Sequence, residues 1–225
     1  QPRKRTERDQ GCPCCAGLKV STTNSLSALF PEIARQLHPG KNNGVTADQI
    51  LAGTHTRYWW KCPKGPDHEW LGVIQNRAGG ARCPFRTNRY VSVTNSLRSH
   101  SSVLAGEWHP TKNGALRPDQ VVAGSHKKVW WLCPEGPDHE WRATGESRTG
   151  VHKSGCPSCA GKQVSVTNSL SNLFPAIAAQ WHPDKNEGMT ANQVIAGSTN
   201  KYWWKCPAGP DHEWQALPES RTRQN

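Results

Sequence analysis

Three blocks of this sequence recur in the same order along the chain. RYWWKCPKGPDHEW (57–70) returns as KVWWLCPEGPDHEW (128–141) and as KYWWKCPAGPDHEW (201–214). The histidine of PDHEW falls at positions 68, 139 and 212, so the spacings are 71 and 73 residues. Self-similarity at a nearly fixed period is the signature of a tandem array of one small structural unit. A chain of 225 residues built in this way is expected to form about three small domains rather than one large one.

The two shorter blocks place the start and the middle of each copy. TTNSL (22–26) returns as VTNSL at 93–97 and at 166–170. LHPGKN (37–42) returns as WHPTKN (108–113) and as WHPDKN (181–186). We therefore call residues 22–70 copy one, 93–141 copy two and 166–214 copy three. Positions that the copies share are expected to form the structural frame, and positions that vary are expected to lie on the surface.

The composition leaves little apolar material for a core. Leu, Ile, Val and Phe supply 34 of the 225 residues, and the net charge is +11. This balance is typical of chains that cannot bury enough apolar surface to fold. Domains of about 70 residues rarely supply sufficient core on their own and need a further staple. The 11 tryptophans and the cysteine pattern are the two features that compensate.

Seven of the nine cysteines follow the spacing of metal ligands. C-P-x-C pairs occur at Cys12/Cys15 and Cys156/Cys159, and C-x5-H occurs at Cys62/His68, Cys133/His139 and Cys206/His212. The odd number and the spacing indicate zinc in an intracellular reducing compartment rather than disulfides, with nucleus, cytoplasm and organelle matrix left open. No apolar run reaches membrane-spanning length and the N-terminus lacks a signal-peptide core, so no membrane partner is expected.

Residues 125–193 illustrate the expected secondary structure. Alternating β-formers predict a strand that ends at Cys133, a Pro/Gly turn that brings His139 back beside it, and a return strand over 139–148. An apolar stripe over 170–181 predicts an amphipathic helix that begins near residue 172. Its cap is one of Asn168, Ser169 and Ser171. A capping box at Thr190–Gln193 predicts a short second helix.

Knuckle, hairpin and then a C-P-x-C pair before a helix is the order of elements in a treble-clef zinc finger. The residues resemble the "probable zinc-ribbon domain" family of tandem modules, with its pattern WW-x-C…HEW…C-P-x-C…NSL…WHP-x-KN. The resemblance covers nearly the whole chain. It implies small α+β modules stabilised by zinc, namely tandem treble-clef zinc-finger repeats. It also implies kinship with nucleic-acid-associated zinc modules, which sometimes share chains with nuclease-like domains.

The same resemblance implies the zinc ligands. One complete tetrahedral site is expected, from Cys133, His139, Cys156 and Cys159. A second, degenerate site has three ligand positions filled, by Cys62, His68 and Cys83, but Arg86 stands at the fourth. Either His55 or a water completes that site, or no metal binds there. Three ligands and a water would also suit a catalytic zinc, but a cation at the fourth position favours decay of the site.

Both ends of the sequence carry half of a site. Arg5, Thr6, Cys12 and Cys15 match the second half, and Cys206 and His212 match the first half. The chain is thus expected to be a segment of a longer array, unless the half-sites join between chains or meet in a ring. The expected boundaries are residues 1–53 for an incomplete unit that lacks its knuckle, 54–124 for the unit with the degenerate site, 125–196 for the complete zinc unit and 197–225 for the N-terminal half of a further unit.

Two repeated motifs have both a structural and a functional interpretation. In each WW pair one Trp is expected to line the core, and the other either packs against the protein or stacks on a base. The HP-x-KN motif is a helix stop and turn, but its Lys and Asn would also suit phosphate and base-edge contacts. The residues concerned are Lys41, Asn42, Lys112, Asn113, Lys185 and Asn186.

Basic residues also recur at fixed places in each copy. An arginine precedes each cysteine pair, and basic residues precede each WW strand. With a pI near 9.4, this pattern indicates a polyanion-binding surface, although a charge run is often just a solvated face. The candidate contacts of this kind are Arg77, Arg148 and Arg221 before the cysteine positions, and Arg57, Lys127, Lys128 and Lys201 before the strands.

The sequence therefore predicts a non-enzymatic, zinc-binding repeat protein that binds nucleic acid. RNA is favoured over DNA, as in a structural component of a ribonucleoprotein such as a ribosome, with protein neighbours in a large assembly. Nucleophile triads, phosphate-cradling glycine loops and carboxylate pairs are missing from the sequence, and the repeated histidines are needed for zinc. The alternatives are a protein–protein interaction scaffold and the DNA-targeting module of a nuclease whose catalytic domain lies elsewhere.

Overall fold

The computed structural model of the chain describes residues 11–223. The chain divides into two compact halves, with the boundary between His100 and Ser101. Each half is considered by itself. Among the described residues, none of the helices has the length and the apolar character that crossing a bilayer requires.

The first half contains one β-hairpin with short helices on either side in sequence. Helices α1 (Leu26–Leu29) and α2 (Pro31–Ala34) are followed by a 3-10 turn at Ala47–Gln49. The hairpin consists of β1 (Arg57–Lys61) and β2 (Glu69–Val73) and continues directly into α3 (Ile74–Ala78). Helix α4 (Leu97–His100) closes this half.

The second half contains two more hairpins of the same form. Its elements are α5 (Ser102–Gly106), a 3-10 turn (Pro118–Gln120), β3 (Lys128–Leu132), β4 (Glu140–Thr144), α6 (Gly145–Thr149), α7 (Leu170–Leu173), α8 (Pro175–Ala178), a 3-10 turn (Ala191–Gln193), β5 (Tyr202–Lys205), β6 (Glu213–Ala216) and α9 (Pro218–Thr222). The predicted fold class, small α+β modules in tandem, is confirmed by this order and by the three antiparallel two-stranded sheets.

The return strand is shorter than the sequence pattern indicated. Residues 139–148 were expected to form one strand, but β4 ends at Thr144, where its side chain accepts a hydrogen bond from Ser147 N–H and caps α6. A hydroxyl that satisfies the first free amide groups of a helix favours the helical turn over further strand. The last turn of this segment then carries Arg148 back over the hairpin.

The prediction of a single amphipathic helix over residues 170–181 is wrong. Two one-turn helices, α7 and α8, take its place, and the break is at Phe174, whose φ of −134° and ψ of 68° are not helical. Pro175 is the cause, because a proline disfavours the helical conformation in the residue before it. Ser169 caps α7 by accepting a hydrogen bond from Asn172 N–H. The break leaves Leu173 half exposed while Leu170 and Ile177 are buried.

The apolar core groups each helical pair with the hairpin that follows it. In copy one, Leu26 of α1 and Ile50 pack with Trp60 and Trp70 of the hairpin. In copy three, Leu170 and Ile177 pack with Trp204, which is fully buried. The boundaries predicted at residues 54, 125 and 197 group each hairpin with the later helix instead, and they stay a prediction.

Within each WW pair the two tryptophans have different surroundings. Trp60, Trp131 and Trp204 are fully buried and face Trp70, Trp141 and Trp214 across the hairpins. Each donates its indole N–H to a backbone carbonyl of the partner strand, at 3.0–3.1 Å. The preceding Trp of each pair is half-buried on the opposite face. The expectation that one Trp of each pair lines the core is confirmed.

Candidate metal centres

The knuckle that carries the first two ligands is closed by backbone hydrogen bonds. In copy two, Cys133 N–H donates to the carbonyl of His139 at 3.0 Å, and His139 N–H donates to the carbonyl of Gly136 at 3.3 Å. A Cβ at Gly136 would lie 2.6 Å from the His139 ring, so this position requires glycine. The Pro/Gly turn thus presses the imidazole toward Cys133, as the sequence predicted.

Four donor atoms converge in the complete site. Those of Cys133, His139, Cys156 and Cys159 all lie within 4.8 Å of one another. Cys133 Sγ is 3.7 Å from Cys159 Sγ, and His139 Nδ1 is 3.6 Å from Cys156 Sγ and 3.4 Å from Cys159 Sγ. A zinc ion with tetrahedral S and N ligands requires such separations of about 3.5–3.8 Å. The donor set fits zinc.

The other nitrogen of the same imidazole is held by two hydroxyl groups. His139 Nε2 lies 3.1 Å from Ser165 Oγ and 2.6 Å from Thr167 Oγ1. These bonds leave Nδ1 as the metal-binding atom and fix the orientation of the ring, which is the usual task of groups behind a metal ligand. Sequence reasoning missed Ser165 and Thr167. Their signal was the block around VTNSL, which recurs in every copy and had no assigned role.

The surroundings of Cys159 and Cys83 raise the pKa values of these thiols. Desolvation, together with the neighbouring thiols of Cys133 and Cys156, raises the pKa of Cys159 to about 12. Desolvation also raises the pKa of Cys83 in the other site. Groups that ionise reluctantly by themselves are stabilised as thiolates by a dication, so metal binding at both sites releases protons.

The three-ligand site, between copies one and two, keeps the frame of the complete site. The donor atoms of Cys62, His68 and Cys83 lie within 4.8 Å of one another, and all three residues are buried. Cys62 N–H donates to the carbonyl of His68 at 2.9 Å. His68 Nε2 lies 3.2 Å from Ser92 Oγ and 2.8 Å from Thr94 Oγ1, as in the complete site.

The fourth position of this site carries no metal ligand among the described residues. Arg86, which stands where the complete site has Cys159, is exposed, and its guanidinium cannot coordinate a metal. His55 does not join the group, so the expectation that it completes the site is wrong. Phe85 stacks on the His68 ring at 4.8 Å between ring centres, which keeps the imidazole in place.

The half-sites also keep the shape of a complete site. Around Cys12, Ala16 N–H donates to the Cys12 carbonyl at 2.9 Å, as Ala160 does to Cys156 at 3.1 Å. At the other end, Cys206 N–H donates to the carbonyl of His212 at 2.9 Å. The side chain of His212 is 54% exposed, whereas His139 is buried. Cys15 is exposed, and Arg5 and Thr6 lie outside the described residues.

The three arginines before the cysteine positions, which were predicted as nucleic-acid contacts, are buried or partly buried in the structure. Arg77 and Arg148 are 7% and 5% exposed, and Arg221 is partly buried. Arg148 lies between the rings of Trp131 and Trp141, at 4.9 and 5.0 Å from the ring centres, and pairs with Glu107. Arg77 and Arg221 repeat the arrangement, with Gln36 and Gln180 as partners at 2.8 and 2.7 Å. These guanidiniums tie each hairpin to the helical segment before it and are not available to a ligand.

The asparagines of HP-x-KN hold the chain rather than face solvent. Asn42 accepts a hydrogen bond from Trp59 N–H at 2.8 Å and donates to the Trp59 carbonyl at 3.0 Å. Asn113 and Asn186 make the same pair of bonds to Trp130 and Trp203. Each amide is engaged by the edge of a strand, and contact of these three amides with bases stays a prediction.

The lysines of the same motif are engaged by a carboxylate. Lys41 pairs with Glu69 at 2.7 Å and lies 4.7 Å from the centre of the Trp59 ring. Lys112 and Lys185 repeat both contacts with Glu140 and Trp130 and with Glu213 and Trp203. Hydrogen bonds from Lys41, Lys61 and His38 lower the pKa of Glu69 to about 2. The motif is therefore a structural cluster that covers the outward tryptophan.

The family of the chain is shown by comparison. The sequence model of a family described as a "probable treble clef zinc finger domain" matches three times, at residues 33–86, 104–162 and 177–225. Each match starts in the helical segment and runs through the hairpin. The chain therefore belongs to this family, and its two Cys/His groups are ones that could hold the zinc of a treble-clef array. No curated protein matches the chain.

Proposed function

We propose that this zinc-stabilised array binds nucleic acid, chiefly through phosphate groups, and that RNA is preferred over DNA. Zinc shapes the modules and takes no part in a reaction under this proposal. The partner is the phosphate backbone of a structured RNA in a ribonucleoprotein such as a ribosome, in an intracellular compartment that keeps thiols reduced.

The observation that carries the proposal is a set of exposed cations that no acidic group neutralises. Arg57, Lys127, Lys128 and Lys201 stand at or just before the first residue of a WW strand in every copy, and all four are exposed. Within residues 11–223 none of them makes an ion pair. Unpaired cations at the same place in each module form the electrostatic footprint of a polyanion binder.

Several acidic groups do not offset the charge of these exposed cations, because they already pair with other basic side chains. Glu69, Glu140 and Glu213 each pair with the lysine and the histidine of HP-x-KN. Glu107 is bound to the buried Arg148. The excess of positive charge in the composition therefore appears at the surface as unpaired lysine and arginine side chains.

The short helices favour RNA over duplex DNA. The longest helices among the described residues have five residues, such as α3 and α6. A major-groove reader of the zinc-finger type presents base-contacting side chains along a longer helix. A basic scaffold without such a helix suits contacts to phosphates and to RNA shape.

The test compares two sets of lysines in the same half of the chain. Lys127→Ala/Lys128→Ala removes two unpaired cations, whereas the control Lys112→Ala removes a lysine paired with Glu140. Affinity for a structured RNA and for a duplex DNA of the same length is measured across a range of salt concentrations. The double variant should reduce the magnitude of the negative slope of log affinity against log salt by about 1.5, and the control should leave the slope nearly unchanged.

A flat salt dependence of the wild-type protein would overturn the proposal. Such a result would favour the protein–protein scaffold, since an apolar interface depends little on salt. Tighter binding to duplex DNA than to RNA would overturn the preference for RNA and favour a DNA-targeting module instead.

A further inference from the structure

A pocket of about 500 Å³ opens beside the three-ligand site. Cys62 and Cys83 form part of its wall, and it is further lined by Gln36, Lys64, Arg82, Arg86 and the buried Arg77. Lys64, Arg82 and Arg86 are exposed, and none of them makes an ion pair with a described residue. The ligands of this site therefore line the same pocket as three cations that make no ion pair with a described residue.

The corresponding residues of the complete site carry no positive charge, and Arg82 is replaced by Gly155. Lys64 is replaced by Glu135, and the neutral Gln36 is replaced by Glu107. Both glutamates line the hollow that adjoins Cys133. Arg86 is replaced by Cys159. The copy that lost a thiolate thus has cations around the ligand position, and the copy that kept the thiolate has acids nearby.

The charge of the two sites explains this difference. A zinc ion with three thiolates and a neutral histidine carries a net charge of −1, whereas one with two thiolates and a histidine is neutral. A neutral centre among three cations attracts an anion into the fourth position. The mere loss of a ligand does not account for positive charge at three separate positions, Lys64, Arg82 and Arg86.

We propose that the Cys62–His68–Cys83 centre binds zinc with an open fourth position, and that an oxyanion of the phosphate class occupies it. Zinc accepts oxygen ligands alongside cysteine and histidine, and an open position is what allows an exogenous ligand to bind. The remaining oxygens of the anion pair with the side chains of Lys64, Arg82 and Arg86. Guanidinium groups donate paired hydrogen bonds that match phosphate geometry.

Phosphate fits better than water or a carboxylate because of the number of cations. A water ligand would leave the three positive side chains without a partner. A carboxylate has one charge and two oxygens, which the metal and a single arginine already satisfy. A tetrahedral oxyanion has enough oxygens for the metal and for cations on more than one side.

The experiment uses the full chain with Cys12, Cys15 and Cys206 replaced by Ser, so that the end half-sites do not contribute. It is loaded with Co²⁺, whose visible d–d absorption reports the ligands of the metal, and inorganic phosphate is the probe. Phosphate should change the spectrum of one of the two bound cobalt ions, and the complete site supplies the unchanged internal reference. Arg86→Cys restores C-P-x-C and should abolish the response while retaining the metal. Arg86→Ala should retain the metal and weaken phosphate binding about ten- to a hundredfold.

Other probes separate the sources of the phosphate group. Dimethyl phosphate stands for the backbone of a nucleic acid, and a response to it as strong as that to inorganic phosphate assigns the site to a phosphodiester. A response to inorganic phosphate alone assigns it to free phosphate or a monoester. Acetate that acts as strongly as phosphate would overturn the phosphate class.

Three further results would overturn the proposal. They are a single cobalt ion per chain, a spectrum that phosphate leaves unchanged, and a phosphate response that survives Arg86→Cys. The proposal does not depend on nucleic-acid binding by the array. Lys127→Ala/Lys128→Ala lies in the other half of the chain and should leave the cobalt response intact, so failure of one proposal is distinguishable from failure of the other.

Discussion

The two zinc sites of this chain share a frame and differ at the fourth ligand. In both, the cysteine N–H bonds to the histidine carbonyl, Nδ1 faces the thiols, and a Ser/Thr pair holds Nε2. The complete site has Cys159 as its fourth ligand, and the three-ligand site has the exposed Arg86 at that position. Hydrogen bonds of the backbone and of hydroxyl groups therefore maintain the frame. The three remaining donor atoms stay within 4.8 Å of one another although the fourth thiol is replaced.

Removing the cysteine pair of the complete site should have the largest effect. Cys156→Ser/Cys159→Ser leaves two ligands, and structural zinc contributes on the order of 10–16 kcal/mol in small zinc domains. We expect the second half to lose its zinc and its tryptophan packing, as measured by metal analysis and near-ultraviolet circular dichroism. The control Cys14→Ser removes a thiol outside the two ligand groups. A double variant that stayed folded and zinc-loaded would contradict the ligand assignment.

Replacing the buried arginine that pairs with a carboxylate should cost more unfolding free energy than replacing the one that pairs with a neutral amide. Arg148→Ala leaves the carboxylate of Glu107 partly buried without its cation, which costs about 3–5 kcal/mol of unfolding free energy. Arg77→Ala leaves the neutral Gln36, and the cost is about 1–3 kcal/mol. Denaturant unfolding measures both values. Adding Glu107→Gln to Arg148→Ala should recover part of the loss, and equal costs for the two arginines would contradict this account.

The hydroxyl pair behind each histidine offers a smaller test. Thr167→Val removes the 2.6 Å hydrogen bond to His139 Nε2 with little change of shape. Zinc affinity should fall about 10- to 100-fold, as measured by competition with a chromophoric chelator. Thr94→Val should act likewise on the three-ligand site. Thr190→Val, at a hydroxyl that donates to Gln193 Oε1 at 3.3 Å, is the control and should leave both affinities unchanged.

The smallest effect is expected at Glu69, the carboxylate that pairs with Lys41 next to Trp59. The pKa of Glu69 is lowered from 4.5 to about 2, so its ionised form is favoured in the folded protein. Its contribution to stability is fully present above pH 4.5 and is lost as the pH falls from 4.5 toward 2. Glu69→Gln should therefore destabilise the protein at pH 7, and the difference from wild type should shrink below pH 4.5. A difference that is independent of pH in denaturant unfolding would contradict the assignment.

What could be predicted from the sequence depended on local spacing. The C-x5-H and C-P-x-C spacings, the hairpins and the alternate burial of Trp59 and Trp60 follow from residues that are close along the chain, whereas the ligand sets were implied by the family resemblance. The break at Phe174 was also local, because Pro175 restricts the residue before it. The positions of the buried arginines were not predictable in this way. Arg148 meets Glu107 and two tryptophans from separate segments, and the number of basic residues does not reveal which of them lie in the core.

The central claim is that one chain holds two zinc ions in unequal sites. It is tested by metal analysis of a chain in which Cys12, Cys15 and Cys206 are replaced by Ser, so that the end half-sites do not contribute. The zinc content is measured before and after brief exposure to a chelator. Two ions per chain should be found at first, and one should remain, held by Cys133, His139, Cys156 and Cys159. A single ion at the start, or two ions that leave at the same rate, would contradict the account.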